Sequence, residues 1–397
     1  MKQGSWTQFG RDQRGAVLLV VAGALATVAV LGVLSIDVGT LAVTRTQLQN
    51  AADAGALAAG VALGLHHDPY LATARAIHFA GLNEALVNAG EQPFNRRGPV
   101  VIGEADVTFP HAGHVRVQTH RTLAHGDPLR SYFLRLLDPG GEMAEMSARA
   151  TAGFFWVCAT QCLKPWSVPD RWFDADGDGT YNPDPVDNPT EYYDAATTGY
   201  NDGDLGIPIV LKLANDAEVH FGQFWYYPVD YPALNRGEPV TGGSAYWEWI
   251  AGCPDPLVTV GRGDSLQIEP GNKVGPTRQG VAELIAQDPA AYWDEAAAQV
   301  AGSAYYWDAA TGGVAGSAYA VSLRITRITL FDPSIGLGDD LSGRKYVVVR
   351  DLLALFLEGQ DAQGAVIGRF LRLGAPDGAA CGDQAQPAFL YKVSLVE

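Results

Sequence analysis

Basic side chains are scarce in this chain of 397 residues: 27 Lys and Arg stand against 44 Asp and Glu, for a net charge of −17. Nowhere do they cluster. Without clustered cations nothing replaces the counterions of a phosphate backbone, so a nucleic-acid partner is excluded. Cysteine is sparse too, with four residues, the first at position 158. Trp and Tyr are nearly missing from the first 150 positions, where one of nine Trp and two of sixteen Tyr fall. Catalytic signatures are missing as well. There is no G-x-S-x-G elbow, no H-E-x-x-H, no Walker loop and no G-x-G-x-x-G after a strand. The eight His are scattered, seven of them before residue 126. Arg262-Gly263-Asp264 spells a tripeptide used by some integrin ligands, a three-residue match of chance specificity, and Asp/Glu pairs in so acidic a chain say nothing about the separation a glycosidase needs. At 47% apolar and 18% charged residues, the composition fits neither a disordered acidic chain nor a wholly membrane-embedded one.

Charge is missing altogether from Gly15 to Ile36, GAVLLVVAGALATVAVLGVLSI. About 20 apolar residues in a helix reach roughly 30 Å, the thickness of a hydrocarbon core. Lys2, Arg11 and Arg14 precede the run against Asp12 alone, so the flank is +2 and the entire negative excess lies beyond it. The positive-inside rule then predicts a cytoplasmic leader over 1–14, a spanning helix over 15–37 and an extracytoplasmic remainder. A cleaved signal competes, but its apolar region is usually about 7–15 residues and no small-residue cleavage site stands out. A buried core helix competes too, against the basic flank and an apolar face all round.

The helical pattern continues as VGTLAVTRTQLQNAADAGALAAGVALG, with Leu41, Leu48, Ala51, Ala52 and Leu57 at three- and four-residue spacing. Ala51, Gly55 and Ala59 form a stripe of small residues that admits another helix, in an assembly or in an ordinary core. His66, His67, Asp68 and Pro69 end this helix, and a second is expected from about Pro69 to Ala89.

QRGAVLLVV (13–21), SIDVGTLAV (35–43) and RTQLQNAADAGALAAG (45–60) resemble the TadE/TadG-like proteins of Tad (Flp) pilus assembly. The strand VRVQTHRTL (115–123), a short helix around LRSYFLRLL (129–137) and the strand MSARATAGFF (146–155) fit the same outline. The resemblance covers about the first 155 residues. It implies a bitopic protein of a bacterial cytoplasmic (inner) membrane that meets other pilus-assembly or pilin-like subunits through its N-terminal helix. In type IV-like pilins a Glu lies five residues after the processing Gly; after Gly15 that place is Val20, so processing as a major pilin subunit is not implied. The D-x-S-x-S metal signature of some Tad-family proteins is absent.

Beyond residue 155 the pattern becomes short alternating runs divided by Gly, Pro and Asp: 207–213, 218–229, 323–331, 345–359, 365–373 and 388–396. Short helices are expected at 279–287 and 289–301. The fold class is therefore α+β: a spanning helix, a stalk and small α/β region over 38–155, and a β-rich domain over 156–397. Its many rings either fill a sandwich core or stack on glycan.

The sharpest chemical signal is DADGDGTYNPD, residues 174–184. Asp174, Asp176 and Asp178 at alternate positions, then Gly179 and the Thr180 carbonyl, match the first half of a D-x-D-x-D-G calcium loop. Position twelve is Pro185 instead of Glu, so the closing carboxylate is expected from Asp184 or Asp187, with Asp202 and Asp204 as further candidates. Residues 151–220 hold twelve acidic and three basic side chains, a self-repulsion that Ca2+ relieves. The alternative is a solvated acidic turn without metal.

Outside the cytoplasm, Cys158, Cys162, Cys253 and Cys381 are expected to form two disulfides, with three connectivities open; a local Cys158–Cys162 ring with a Cys253–Cys381 staple is the expectation. Zinc at these cysteines is not, because C-x-x-x-C without neighbouring His is not a ligand spacing. Two functions remain. One is a non-catalytic, membrane-anchored pilus-assembly or surface protein with a calcium-stabilised outer domain; the other is an anchored extracytoplasmic hydrolase with a structural calcium. A cleft with two isolated, pKa-shifted carboxylates would favour the second.

Overall fold

The computed structural model describes residues 14–88, 95–132, 143–177, 181, 191–212, 243–253, 257–267, 273–303, 307–308, 313–314, 322–334, 346–382 and 389–396. The chain divides into two compact units, Met1–Phe154 with Val393–Glu397, and Phe155–Lys392.

In the N-terminal unit the apolar run and the Ala-rich stretch are one helix, α1 (Arg14–His66). At about 1.5 Å per residue it is roughly 80 Å long, far more than a bilayer core requires. Its two halves differ in what surrounds them. The apolar window is 0% buried, with Leu18 and Leu19 more than 70% exposed. Leu48, Ala51, Ala52, Ala56 and Ala59 are fully buried at three- and four-residue spacing.

That buried face meets α2 (Pro69–Gly81) through Ala72, Ala76 and Ala80. It also meets Val115 and Val117 of β1 (His114–Arg121) and Ala148, Ala150 and Ala152 of β2 (Met146–Thr160). β1 and β2 pair antiparallel from His114↔Gly153 to Arg121↔Met146. A Cβ on Gly55 would lie 3.0 Å from the Ala76 carbonyl and 3.2 Å from Ala80 Cβ, so the small stripe is what lets α2 approach. Asp68 caps α2, accepting from the Tyr70 and Leu71 N–H groups at 2.8 and 3.2 Å, with Pro69 in the first turn.

α2 ends eight residues before the expected Ala89. The Asn83 amide donates to the Phe79 carbonyl at 2.9 Å, and the chain then enters a strand, Glu84–Val87, paired with Arg96–Pro99. The helix expected around 129–137 begins instead with a strand pair, Leu129–Arg130 against Met143–Ala144; residues 133–137 lie outside the described residues.

The larger unit is built on a sheet in which β3 (Leu163–Pro169) runs parallel to β5 (Ile325–Phe331). β5 is antiparallel to β6 (Tyr346–Gln360), β6 to β7 (Val366–Leu371), and β7 to β4 (Pro208–Lys212). β6 carries Leu352, Leu353, Leu355, Phe356 and Leu357, all fully buried; a continuous apolar run fits a strand covered on both faces. Two helices, α3 (Gly243–Ala251) and α4 (Val274–Gln287), pack on each other and contribute Tyr246, Trp249, Ile250, Val281 and Leu284 to the same core. Trp166 and Tyr246 are fully buried and bonded to each other, indole N–H to phenol oxygen at 2.9 Å. Here the rings fill a core. The run expected at 218–229 lies outside the described residues. The helix expected at 289–301 is a hairpin, Tyr292–Asp294 with Gln299–Ala301. Asp294 accepts from the Ala296 and Ala297 N–H groups, the local bond with which Asp competes against helix.

The expected disulfide pairing is wrong. Cys158 joins Cys381 and Cys162 joins Cys253, with Cα separations of 4.9 and 4.8 Å. Cys158 lies inside β2, whose extended backbone carries the chain away from it before Cys162 is reached. The same strand pairs with Ala379–Ala380, and the Cys381 N–H donates to the Trp156 carbonyl at 2.8 Å, which sets Cys381 beside Cys158. Cys253 follows α3, held where the Lys164 ammonium of β3 donates to the Gly252 carbonyl at 2.5 Å. The Cys158–Cys381 bridge closes 223 residues. Replacing both of its cysteines by Ser is expected to lower the stability of this unit by about 2–5 kcal/mol in urea unfolding followed by tryptophan fluorescence. A loss below about 1 kcal/mol would mean that the sheet alone already fixes these ends.

Candidate functional site

Three carboxylates gather where the acidic loop begins. An antiparallel bridge between Phe173 and Tyr192, with the Phe173 N–H on the Tyr192 carbonyl at 3.0 Å and the rings stacked at 5.4 Å, brings residues 174 and 191 side by side. One ligand oxygen each from Asp174, Asp176 and Glu191 then lies within 4.8 Å of the others. Gly177, at φ +77, folds the loop so that its N–H donates to Asp174 at 2.8 Å. Asp176 is exposed, while Glu191 is 5% exposed, which gives the cluster a wet and a dry side. Asp178, Gly179, Thr180, Asp184 and Asp187 lie outside the described residues. Asp204 is engaged elsewhere, on Arg171 at 2.5 Å, and Asp202 pairs with Arg372. Glu191 is therefore the carboxylate that joins Asp174 and Asp176 among the described residues. The sequence reading missed it because it lies seventeen residues after Asp174 and depends on the Phe173–Tyr192 bridge.

The N-terminal helix is the second functional element. From Val17 to Ile36 its side chains are exposed or half-exposed, and the first buried one is Asp37. The Asp37 carboxylate accepts from the Ser131 hydroxyl at 2.6 Å and from the Tyr132 N–H at 3.0 Å. The apolar part thus ends at a residue tied into the N-terminal unit. Thr27 and Ser35 turn their hydroxyls back to the Gly23 and Leu31 carbonyls, which removes their polarity from the apolar surface. Residues 15–62 match the model of a family described as putative Flp pilus-assembly TadE/G-like. No curated protein and no solved structure is significantly similar to the chain. The Tad segment spans both halves of α1, the exposed apolar half and the half that packs on α2, β1 and β2. In its AADAGALAAG stretch, 51–60, Ala51, Ala52, Ala56 and Ala59 are fully buried against α2, β1 and β2.

Away from the Tad segment, the larger unit holds a buried ionic chain. Asp170 and Asp351 are 0 and 1% exposed. Arg350 reaches both, Nε to Asp170 at 3.0 Å and Nη1 to Asp351 at 3.4 Å. Arg262 grips Asp351 with two bonds, at 3.0 and 2.9 Å. Burial pushes both carboxyls up in pKa, and the arginines pull them back. The Arg-Gly-Asp tripeptide is part of this network: its Arg262 is held by Asp351 and its Asp264 accepts from the Gly261 N–H at 2.9 Å.

Proposed function

We propose that this protein is a single-pass, membrane-anchored component of Tad/Flp pilus assembly, with residues 1–14 in the cytoplasm and a non-catalytic, calcium-stabilised domain outside. The observation that carries the reading is the coincidence of the family match over 15–62 with an apolar, unburied helical stretch ending at Asp37. The helix presents 17–36 to lipid and to pilin-like subunits, while the buried face that begins at Leu48 is committed to its own unit. Two disulfides are in keeping with an oxidising compartment. The non-catalytic part of the reading is supported by Asp170 and Asp351. These carboxylates have raised pKa values, yet they are buried and shared by arginines rather than presented to a substrate. Protease protection in sealed vesicles tests the orientation: a tag at the N-terminus and one at the C-terminus should be cut from opposite sides, and cleavage of both from one side refutes the spanning topology.

Calcium belongs to the same reading. Asp174 and Asp176 supply one side of the ion, and Glu191 closes it from the bridge beside Phe173; Asp178 and Thr180, which the loop pattern adds, lie outside the described residues. An affinity on the order of 10⁻⁴ to 10⁻³ M suffices outside the cell. At about 2 mM calcium such a site adds roughly 0.6–1.8 kcal/mol to stability, or about 2–6 °C in melting temperature. EGTA should remove that increment from the full chain, and Glu191→Gln should abolish the calcium response. A melting temperature indifferent to calcium sinks the clip.

A further inference from the structure

We propose that Asp106, His120 and His125 of the N-terminal unit form a binding site for a divalent transition cation of the zinc class. Two short turns and one strand bring them together. Asp106 ends a 3-10 turn, Glu104–Asp106; His120 is the next-to-last residue of β1; His125 ends a second 3-10 turn, Leu123–His125. One ligand atom from each lies within 4.8 Å of the other two.

His120 marks the cluster as more than a chance grouping. It is 3% exposed, and neither ring nitrogen has a hydrogen-bond partner among the described residues. Its Nε2 is 3.1 Å from Asp106 Oδ1, within bonding distance but out of hydrogen-bond alignment. A buried polar group left so destabilises the fold. A cation between the imidazole and the carboxylate would offset that cost, since ligation needs the lone pair directed at the metal and not a shared proton.

The carboxylate of the cluster is already held in place. Asp106 Oδ2 accepts from the Gly103 N–H at 2.8 Å, which fixes the carboxylate and leaves Oδ1 toward His120. His125 Nδ1 lies 2.6 Å from the Thr122 hydroxyl, a contact that the ring gives up when it turns toward an ion. The strand end is itself immobilised. Arg121, 1% exposed, donates to Asp127 and to the carbonyls of Leu86, Ala85, Gly98 and Pro99. Asp127 in turn accepts from the Thr122 N–H at 3.2 Å.

Two imidazoles and one carboxylate select zinc-like cations over calcium, which takes oxygen ligands. Three protein ligands leave one tetrahedral position for water. Ligands at about 2.0–2.2 Å from zinc are roughly 3.4 Å apart, so the cluster must tighten. The rings of His120 and His125 are stacked, with centroids 3.3 Å apart and planes 21° from parallel. Parallel rings cannot both direct an in-plane lone pair at one ion. His125 is exposed, so its ring is the one that turns.

The test is a titration of the untagged full chain in detergent, stripped with EDTA and returned to millimolar calcium so that the acidic loop does not compete. Zn2+ should bind at one equivalent, and Co2+ should give the visible absorption of a four-coordinate site. His125→Ala, at an exposed position, and Asp106→Asn, which keeps the Gly103 bond, should each weaken Zn2+ binding about tenfold or more and remove the Co2+ band, with unchanged circular dichroism. Absence of stoichiometric Zn2+ binding, or equal binding by both variants and the parent chain, overturns the site.

Discussion

Deletion of residues 17–36 is expected to move the protein from the membrane pellet, where it resists carbonate and high salt, into the soluble fraction. The segment holds twelve Val, Leu and Ile residues and no charge. At about 0.3–0.6 kcal/mol for each such residue near the bilayer centre, these alone favour insertion by roughly 4–7 kcal/mol. That is a partition ratio of about a thousandfold or more. The N-terminal unit should survive the deletion, since the residues removed are exposed or half-exposed and the face that packs on α2 begins later, at Leu48. The Ala-rich half of α1 cannot replace the lost anchor, because its apolar face is already occupied by Ala72, Ala76, Val115 and Val117. Circular dichroism should show loss of about twenty helical residues and retention of the rest. Continued carbonate-resistant sedimentation would mean that another part of the chain holds the membrane. An unfolded soluble product would mean that 17–36 also supports the fold.

The anchor was legible because hydropathy and length are properties of one uninterrupted segment. The end of α1 and the start of α2 were marked by His66 to Pro69, a local cap that the structure realises through Asp68. The strands Pro208–Lys212, Ile325–Phe331, Tyr346–Gln360, Val366–Leu371 and Leu390–Leu395 were legible for the same reason, since apolar runs between Gly and Pro need no partner to be recognised; Leu163–Pro169 and the short strands were not. Pairings over long separations were not. Cys158 and Cys381 are 223 residues apart, and only the register of Ala379–Ala380 on β2 makes them neighbours. Glu191 joins Asp174 and Asp176 through a two-residue bridge that no spacing rule encodes. The 289–301 stretch misled because its Ala-rich composition favours helix, whereas Asp294 bonds the backbone of its own turn. His120 was invisible as a special residue: in sequence it is one scattered histidine, and its lack of a partner exists only once β1 is buried.

Arg350→Met is expected to cost the larger unit about 3 kcal/mol at neutral pH, near the low end of the range for breaking a buried ion pair. Arg350 is the cation shared by Asp170 and Asp351, and Met keeps much of its length without the charge. Asp351 retains the two bonds from Arg262 and the Leu352 N–H at 2.8 Å, so its loss is small. Asp170 retains only neutral donors: the Tyr193 hydroxyl at 2.9 Å, the Tyr200 N–H at 2.8 Å and its neighbour Arg171's N–H at 2.9 Å. Those three bonds keep the cost from reaching the upper end of the range. The pH dependence gives an independent check. Burial already raises the Asp170 pKa, with Arg350 the strongest force pulling it down. Removing Arg350 raises it further. The folded variant then holds a proton that the unfolded chain, titrating near pH 4, has released. Its stability therefore falls as pH rises through the folded-state value and recovers as pH is lowered toward the unfolded one. Urea unfolding should show the deficit at pH 8 and a smaller one at pH 5. Adding Asp170→Asn removes the stranded charge while keeping most of the shape, and should restore much of the loss at pH 8 and flatten the pH dependence. A single variant within about 1 kcal/mol of the parent at pH 8 would show that water already reaches Asp170, and that the buried ionic chain is not what holds β6 to the start of the acidic loop.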